Sequence, residues 1–143
     1  MDLLVRQAEP ADAGFVASLL ADLGYPVSSE FAAERLAHFE SDPASLVQLA
    51  EAEGTVIGLV ATHVVPRLER ELSSCRIVDL VVAANGRRAG VGRALLRAAE
   101  AEARRHDCRR LDLASGEWRA DAHAFYDQMG FQTRARSYVR RLS

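Results

Sequence analysis

The chain has 143 residues, 49% of them hydrophobic and 27% charged, with a formal net charge of -2 at pH 7. This length predicts a single domain over residues 1–143, and the hydrophobic content excludes a disordered chain. The near-neutral charge gives no general attraction to nucleic acid or acidic membranes, and no apolar run approaches ~18 residues or follows a basic start, so we predict a cytoplasmic protein.

The first half of the chain predicts one strand, two helices and a β-hairpin. Apolar residues recur at helical spacing in the two helical segments, and Ser28 or Ser29 is a suitable N-cap for the second. Glu53-Gly54 is typical of a tight turn between two strands. In chain order these elements are a strand over Leu3–Ala8, a helix from Phe15 to Leu23, a helix ending at Asp42-Pro43, and strands over Leu46–Ala52 and Thr55–Val65.

The second half predicts a charged loop, an apolar strand, a long helix and shorter elements after it. Gly130 is placed to end the last helix, and Phe131–Arg141 is expected to add one or two strands. The others are a loop over Pro66–Ser74, a strand over Cys75–Val82, a helix over Gly90–His106, a strand over Leu111–Ala114 and a helix over Ala120–Met129. The order βααβββαβαβ predicts an α/β fold with a mixed central sheet flanked by helices.

The sharpest chemical signal lies where the apolar strand runs into the long helix at Gly90-Val91-Gly92. The N-terminus of a helix has unpaired backbone N–H groups and a partial positive charge, so it binds phosphate well. Glycines there let a ligand approach the backbone closely, and Arg87, Arg88 and Arg93 can add charge-assisted contacts. The pattern predicts a pyrophosphate site, although a Gly-x-Gly alone often makes only a tight turn.

Two other phosphate-binding motifs are excluded by the residues that follow. A Walker loop requires Lys-Ser/Thr after its last glycine, where this chain has Arg93-Ala94, and a dinucleotide fingerprint requires glycine where Leu95 stands. Arg87-x-x-Gly90-x-Gly92, after an apolar strand and at the start of a helix, resembles the Q/R-x-x-G-x-G/A motif of the GNAT superfamily of acetyl-CoA-dependent N-acetyltransferases.

The resemblance extends over nearly the whole chain. Val5-Arg6-x-Ala8 with Asp12 resembles the opening of GNAT domains, and Val56-Ile57-Gly58 resembles their central hairpin. Phe125-Tyr126-x-x-x-Gly130-Phe131 resembles their closing motif. The resemblance implies the GNAT acyl-CoA acyltransferase fold and transfer of an acetyl group to a primary amine of a small molecule or peptide by direct attack. It also implies a possible homodimer.

The resemblance further implies which residues hold the co-substrate acetyl-CoA. The backbone of the apolar strand is expected to contact pantetheine and thioester, and an N–H aimed at the thioester carbonyl would stabilise the charge that develops there. Two departures from the family pattern are Ala84 for a common proline and Arg119 for a common asparagine, so Ser115 or Arg119 is expected to replace the asparagine. The expected cofactor-binding residues are Leu80, Val81, Val82, Arg87, Arg88, Ala89, Gly90, Val91, Gly92, Arg93 and Ser115.

Two residues are expected to be catalytic. Tyr126 has the position of the family tyrosine that protonates the departing CoA thiolate; the alternative is packing against neighbouring aromatic rings. Asp79 interrupts an apolar strand, where a carboxylate is costly unless it is paired, exposed or functional, and we predict that it is the general base. The alternative for Asp79 is a structural role, either facing solvent or in an ion pair for which Arg76 is a candidate. His63 and Glu117 are reserve candidates for the base.

Other functions and sites are less well supported by the sequence. Cys75 and Cys108 lack metal-ligand spacing, so we expect reduced thiols and no metal. An acyl-CoA-binding sensor without turnover is the alternative function, although the retained glycines and Tyr126 favour an enzyme. The arginines between residues 134 and 141 are spaced as on one solvated face of a strand, so we expect no nucleic-acid partner.

Overall fold

The computed structural model describes residues 2–69, 71–86, 90–114, 120–134 and 137–142. Within these residues, nine main elements follow one another as β1 (Leu4–Gln7), α1 (Ala13–Leu23), α2 (Ser29–Glu40), β2 (Ser45–Ala52), β3 (Thr55–Val65), β4 (Ser74–Val82), α3 (Val91–Arg105), β5 (Leu111–Leu113) and α4 (Ala120–Gln128). Short 3₁₀ turns at Pro10–Asp12 and Ala84–Gly86 precede α1 and follow β4. The predicted elements up to α4 are therefore found nearly at their expected bounds.

The elements end where the local chemistry predicts. Ser28 is the N-cap of α2, and its Oγ accepts a hydrogen bond from the backbone N–H of Phe31 at 3.0 Å. Gly24 ends α1 in the left-handed conformation, at φ 104°. Glu53 and Gly54, the two residues between β2 and β3, have φ of 51° and 80°, as a tight hairpin turn requires.

The strands form one mixed sheet in the order β1-β2-β3-β4-β5. The three pairs from β1 to β4 are antiparallel. The register of β3 against β4 shifts by one residue between the pairs Ala61–Asp79 and Thr62–Ile77, so Val78 is an extra residue on β4. This is a β-bulge, and it lies directly before Asp79.

Helices cover the two faces of the sheet. One core joins α1 and α2 to the sheet through Val47, Leu49, Leu59, Ala61 and Val81. On the other face α3 buries Val91, Leu95, Leu96 and Ala99 completely or nearly so. Gly58 makes the close approach of α3 possible, because a Cβ there would lie 2.8 Å from Val91 Cγ1 and 2.9 Å from Leu95 Cδ1.

An ion-pair cluster fixes the corner at which β1 leads into α1. Arg6 donates two hydrogen bonds of 2.9 Å to the carboxylate of Asp12, which is only 5% exposed. The backbone N–H of Glu9 donates a third at 2.7 Å, and Glu51 lies 3.6 Å from Arg6 Nε. We call Arg6, Glu9, Asp12 and Glu51 the β1–α1 corner.

The chain divides into two compact units, Met1–Asp112 and Leu113–Ser143. In the second unit α4 is followed by Gly130 at φ 89°. The expectation of one or two strands over Phe131–Arg141 is wrong for the described residues, since 131–134 and 137–142 contain no strand. Tyr138, Val139 and Leu142 are more than 80% exposed, so these apolar side chains have no strand-like burial to stabilise an extended pairing.

Candidate active site

The predicted cofactor loop begins at the end of β4 and leads into α3. Leu80 and Val82 are half-buried and Val81 is buried. Leu80 pairs with Val60 and Val82 with Gly58, so β3 occupies one edge of this half of β4. Because β5 has three residues against nine in β4, most of the other edge of β4 has no partner strand in the described part of the chain. Backbone groups on that edge can bind a ligand.

Helix α3 presents its N-terminus at the far end of this loop. Gly90 is the N-cap, with φ 81°, and its carbonyl accepts the first helical hydrogen bond, from the N–H of Ala94 at 3.0 Å. The N–H groups of Val91, Gly92 and Arg93 therefore precede the first helical bond. Apart from its chain neighbours and its own helix, a Cβ on residue 90 would meet no atom of the described residues within 4 Å, so there is open space beside residue 90. This arrangement fits a pyrophosphate group.

Some of the predicted cofactor residues cannot be compared with this geometry. Arg87, Arg88, Ala89 and Ser115 lie outside the described residues, as do the reserve base Glu117 and the departure at Arg119. Within the described residues, Gly90, Val91, Gly92 and Arg93 form the first turn of α3, and the side chain of Arg93 is exposed.

Asp79 lies on the face of the sheet that α1 and α2 cover. Its partner on β3 is Ala61, and side chains alternate along β4, so Asp79 has the same orientation as Val81 in the core under α1 and α2. The carboxylate is half-buried, and burial raises its pKa above the ordinary value. No described residue donates a hydrogen bond to it or forms an ion pair with it.

The predicted alternative partner of Asp79 is wrong. Arg76 donates a hydrogen bond of 2.9 Å to Asp112 on β5, and Asp112 also lies 3.7 Å from Arg67. Because Val78 is an extra residue, Arg76 and Asp79 pair with His63 and Ala61, two residues apart on β3, so the bulge places them on one face of the sheet. The guanidinium of Arg76 nevertheless binds Asp112 on the neighbouring strand β5. Sequence reasoning could not find the bulge, since the register depends on β3 as well as β4.

His63, a reserve candidate, has a structural environment. Its Nδ1 lies 2.9 Å from Ser45 Oγ and 3.6 Å from Asp42 Oδ2, at the end of the β2–β3 pair. Asp42 Oδ1 also accepts the backbone N–H of Ala44 at 3.0 Å. His63 is therefore hydrogen-bonded within the protein, to the segment that leads from α2 into β2.

Tyr126 lies on α4, in the second unit. Its ring centroid is 5.5 Å from that of Phe125 and 5.7 Å from that of Phe131, and its carbonyl accepts the backbone N–H of Phe131 at 3.0 Å. The aromatic packing expected as the alternative is therefore present. It does not exclude a catalytic hydroxyl, because ring packing fixes the position of a phenol without using its O–H.

Both cysteines are buried and unsuited to nucleophilic catalysis. Cys75 is fully buried and Cys108 is 6% exposed. Burial raises the pKa of the Cys75 thiol to about 11 and raises that of Cys108 as well, so neither is a thiolate at neutral pH.

Among the described residues no three His, Cys, Asp or Glu side chains are grouped closely enough to hold a metal ion. No described helix has the length and apolar character needed to cross a membrane.

Comparison with known proteins gives a family model and many solved structures. The model of the acetyltransferase (GNAT) family matches residues 14–131, more than three quarters of the chain. No curated protein matches significantly.

Three similar structures cover almost the whole chain. A transcriptional regulator from Bacillus halodurans C-125 has a TM-score of 0.91 at 19% identity and covers 99% of this chain and 100% of its own. An acetyltransferase from Trypanosoma brucei has a TM-score of 0.82 at 25% identity, with the same coverage. An aminoglycoside N-acetyltransferase, AAC(6')-Iy in complex with CoA, has a TM-score of 0.88 at 14% identity and covers 99% of this chain and 95% of its own.

Proposed function

The chain belongs to the acetyltransferase (GNAT) family, and on that premise we propose that it transfers the acetyl group of acetyl-CoA to a primary amine of a small molecule or peptide. The observation that carries the choice of acceptor is Asp79, a half-buried carboxylate with no partner among the described residues. A carboxylate in this environment is stabilised by a cation, and a primary amine arrives as an ammonium ion.

We propose that the same carboxylate then takes the proton that the ammonium must lose before it attacks. Its raised pKa brings it closer to neutrality, which improves a general base, and the proton can pass directly or through one water. Asp79 is next to Leu80, whose backbone is among the groups proposed to contact the thioester. The base and the electrophile are thus assigned to consecutive residues of one strand.

The co-substrate is assigned to the end of β4 and the start of α3. The backbone of Leu80, Val81 and Val82 would align pantetheine, and the N–H groups of Gly90, Val91, Gly92 and Arg93 would bind the pyrophosphate. Arg87, Arg88, Ala89 and Ser115 are assigned from the resemblance to the family motif. When bound, acetyl-CoA supplies the activated acyl group, and the protein supplies position and a polar environment for the charge that develops.

Direct attack in a ternary complex is favoured over an acetyl-enzyme. The chain has two cysteines, and burial keeps both thiols protonated. Tyr126 is proposed to protonate the CoA thiolate as it leaves, since a phenol with a pKa near ~10 remains a donor at neutral pH. Tyr126→Phe should then lower kcat and leave affinity for acetyl-CoA nearly unchanged; unchanged kcat would assign Tyr126 to packing alone.

The test of the proposed function is acetyl-CoA turnover, measured as free thiol, across a panel of primary amines and peptides. Initial rates at varied concentrations of both substrates should give the intersecting pattern of a ternary complex and not the parallel lines of an acetyl-enzyme. Saturable binding of acetyl-CoA without turnover of any acceptor would instead support the sensor function.

A matched pair of variants tests the cofactor site. Gly90→Asp places a carboxylate at the start of α3, where it would repel the pyrophosphate, and should abolish binding of acetyl-CoA in calorimetry. Gly54→Asp is the control, because Gly54 has nearly the same φ, 80° against 81°, and equally open space, yet it lies in the hairpin turn. Equal affinities of the two variants would contradict the site.

Three further properties are proposals from the sequence and the family. These are a single acetyltransferase domain over residues 1–143, a cytoplasmic location and a homodimer. Light scattering of the purified chain measures the last of these.

A further inference from the structure

A cavity lies at the opposite end of β4 from the proposed cofactor site. Its volume is about 410 Å³, and it is lined by Glu71, Leu72, Ser73, Ser74, Arg109 and Arg110. Ser74 begins β4 and Val82 ends it, so the cavity is separated from the cofactor loop by roughly 25 Å of extended strand. None of the residues assigned to acetyl-CoA or to catalysis lines this cavity.

Two hydrogen bonds fix the walls of the cavity to each other. The backbone N–H of Cys75 donates to the carbonyl of Arg110 at 2.8 Å, which joins the start of β4 to the residues that precede β5. Arg67 Nε donates to Ser74 Oγ at 3.3 Å. Ser74 is only 1% exposed, and because its oxygen accepts from Arg67, its O–H remains available as a donor.

The two arginines that line the cavity have no carboxylate partner among the described residues, unlike the other arginines near this end of β4. Arg67 and Arg76 both pair with Asp112, and on α3 Arg104 pairs with Glu100 and Arg105 with Glu102. Arg109 and Arg110 are exposed, and neither has a carboxylate within ion-pair distance in the described part of the chain. Glu71 also lines the cavity, so the two arginines and this one carboxylate leave one net positive charge on the lining.

We propose that this cavity is a second binding site, for a small organic anion that carries one phosphate or carboxylate group. Two guanidinium groups with free N–H donors match the oxygens of such a group, and arginine binds them in a planar, two-bond geometry. The volume is within the range of small-molecule sites and exceeds that of the anionic group alone, and Leu72 supplies apolar surface for the remainder of the ligand. The single net charge favours one anionic group over several.

The test is a titration followed by amide NMR shifts at constant ionic strength. Glucose 6-phosphate and gluconate are the two anionic probes, and glucose is the neutral control. At least one anion should saturate shifts of residues 71–75 and 109–111, and the stronger probe shows whether phosphate or carboxylate is preferred. If neither anion gives saturable shifts there through the millimolar range, or if glucose gives the same shifts, the proposal is wrong.

Variants separate this site from general charge effects. Arg109→Gln with Arg110→Gln should weaken binding at least tenfold, and the double lysine variant should recover part of the loss because it restores charge without the planar geometry. Arg104→Gln removes an exposed arginine that already has a partner, and should leave binding unchanged. An equal loss in the Arg104 variant would overturn the proposal in favour of non-specific attraction.

Discussion

Two carboxylates of the first unit are set among apolar side chains, and their environments are opposite. At the β1–α1 corner, Asp12 accepts two hydrogen bonds from Arg6 and one from the backbone N–H of Glu9. In the second half of β4, Asp79 has no partner among the described residues. The hydrogen bonds from Arg6 hold the pKa of Asp12 below its ordinary value, whereas burial raises that of Asp79.

The comparison shows why burial of a charged residue does not by itself indicate function. A carboxylate whose oxygens are satisfied by the protein stabilises the fold and has little capacity left for a ligand. One that the protein leaves unsatisfied costs stability, and the cost is offset when a cation or a proton arrives. We therefore assign a structural role to Asp12 and propose a catalytic one for Asp79.

The largest expected effect is on catalysis at Asp79. Asp79→Asn keeps the shape of the side chain and removes the base, so kcat/KM should fall by about 10²-fold or more. The loss should shrink as pH rises, because more of the acceptor is already a free amine. Affinity for acetyl-CoA should be unchanged. A loss that is the same at every pH, together with a lower melting temperature, would show that Asp79 supports the strand instead.

Aspartate to asparagine at the β1–α1 corner should lower stability, in contrast to the effect on catalysis expected at Asp79. Asp12→Asn breaks the charged pair with Arg6 and should lower the free energy of unfolding by about 2 kcal/mol, measured by chemical denaturation. Asp79→Asn should leave the stability unchanged or raise it, since it removes a desolvated charge. If Asp12→Asn were as stable as the unmodified protein, the distinction between the two carboxylates would not hold.

The pH dependence of stability should distinguish the two carboxylates when each variant is compared with the unmodified protein. Asp12 has a lowered pKa in the folded state, so its contribution is present above the ordinary value of ~3.9 and is lost as pH falls through the lowered pKa. The deficit of Asp12→Asn should therefore shrink in acid. Asp79 has a raised pKa in the folded state, so its ionisation destabilises the fold fully above that pKa, and this penalty is lost as pH falls from the raised pKa to the ordinary value. Any gain in stability from Asp79→Asn should therefore also shrink in acid, whereas for Asp12→Asn it is a loss of stability that shrinks. Urea unfolding from pH 7 to pH 3 measures both differences.

The smallest effect is expected from the outer member of the corner. Glu51 lies 3.6 Å from Arg6 Nε and is partly exposed, so solvent screens the attraction. Glu51→Gln should cost less than about 1 kcal/mol, against the larger loss at Asp12. Equal losses would mean that Arg6 depends on both carboxylates and that the corner acts as one network.

Much of the fold could be predicted because its signals are local. Ser28 caps α2, and Glu53 with Gly54 makes the hairpin turn, because capping and positive φ depend on the residue itself. The first turn of α3 at Gly90 follows from its glycines and from the helix formers after them. The strands predicted over Phe131–Arg141 are absent from the described residues after Gly130, since an extended segment forms a strand only where a partner edge pairs with it.

The sequence by itself determined the family, the order of the elements up to α4 and the position of the glycine motif, since each depends on neighbouring residues or on motifs in fixed order. Only the tertiary structure decided which charges meet. Arg76 binds Asp112, 36 residues away, and not Asp79. The bulge at Val78 depends on how β3 pairs with β4, and the fit of α3 over Gly58 depends on side chains from another element. Contacts of this kind arise from packing between distant segments, and local sequence carries no signal for them.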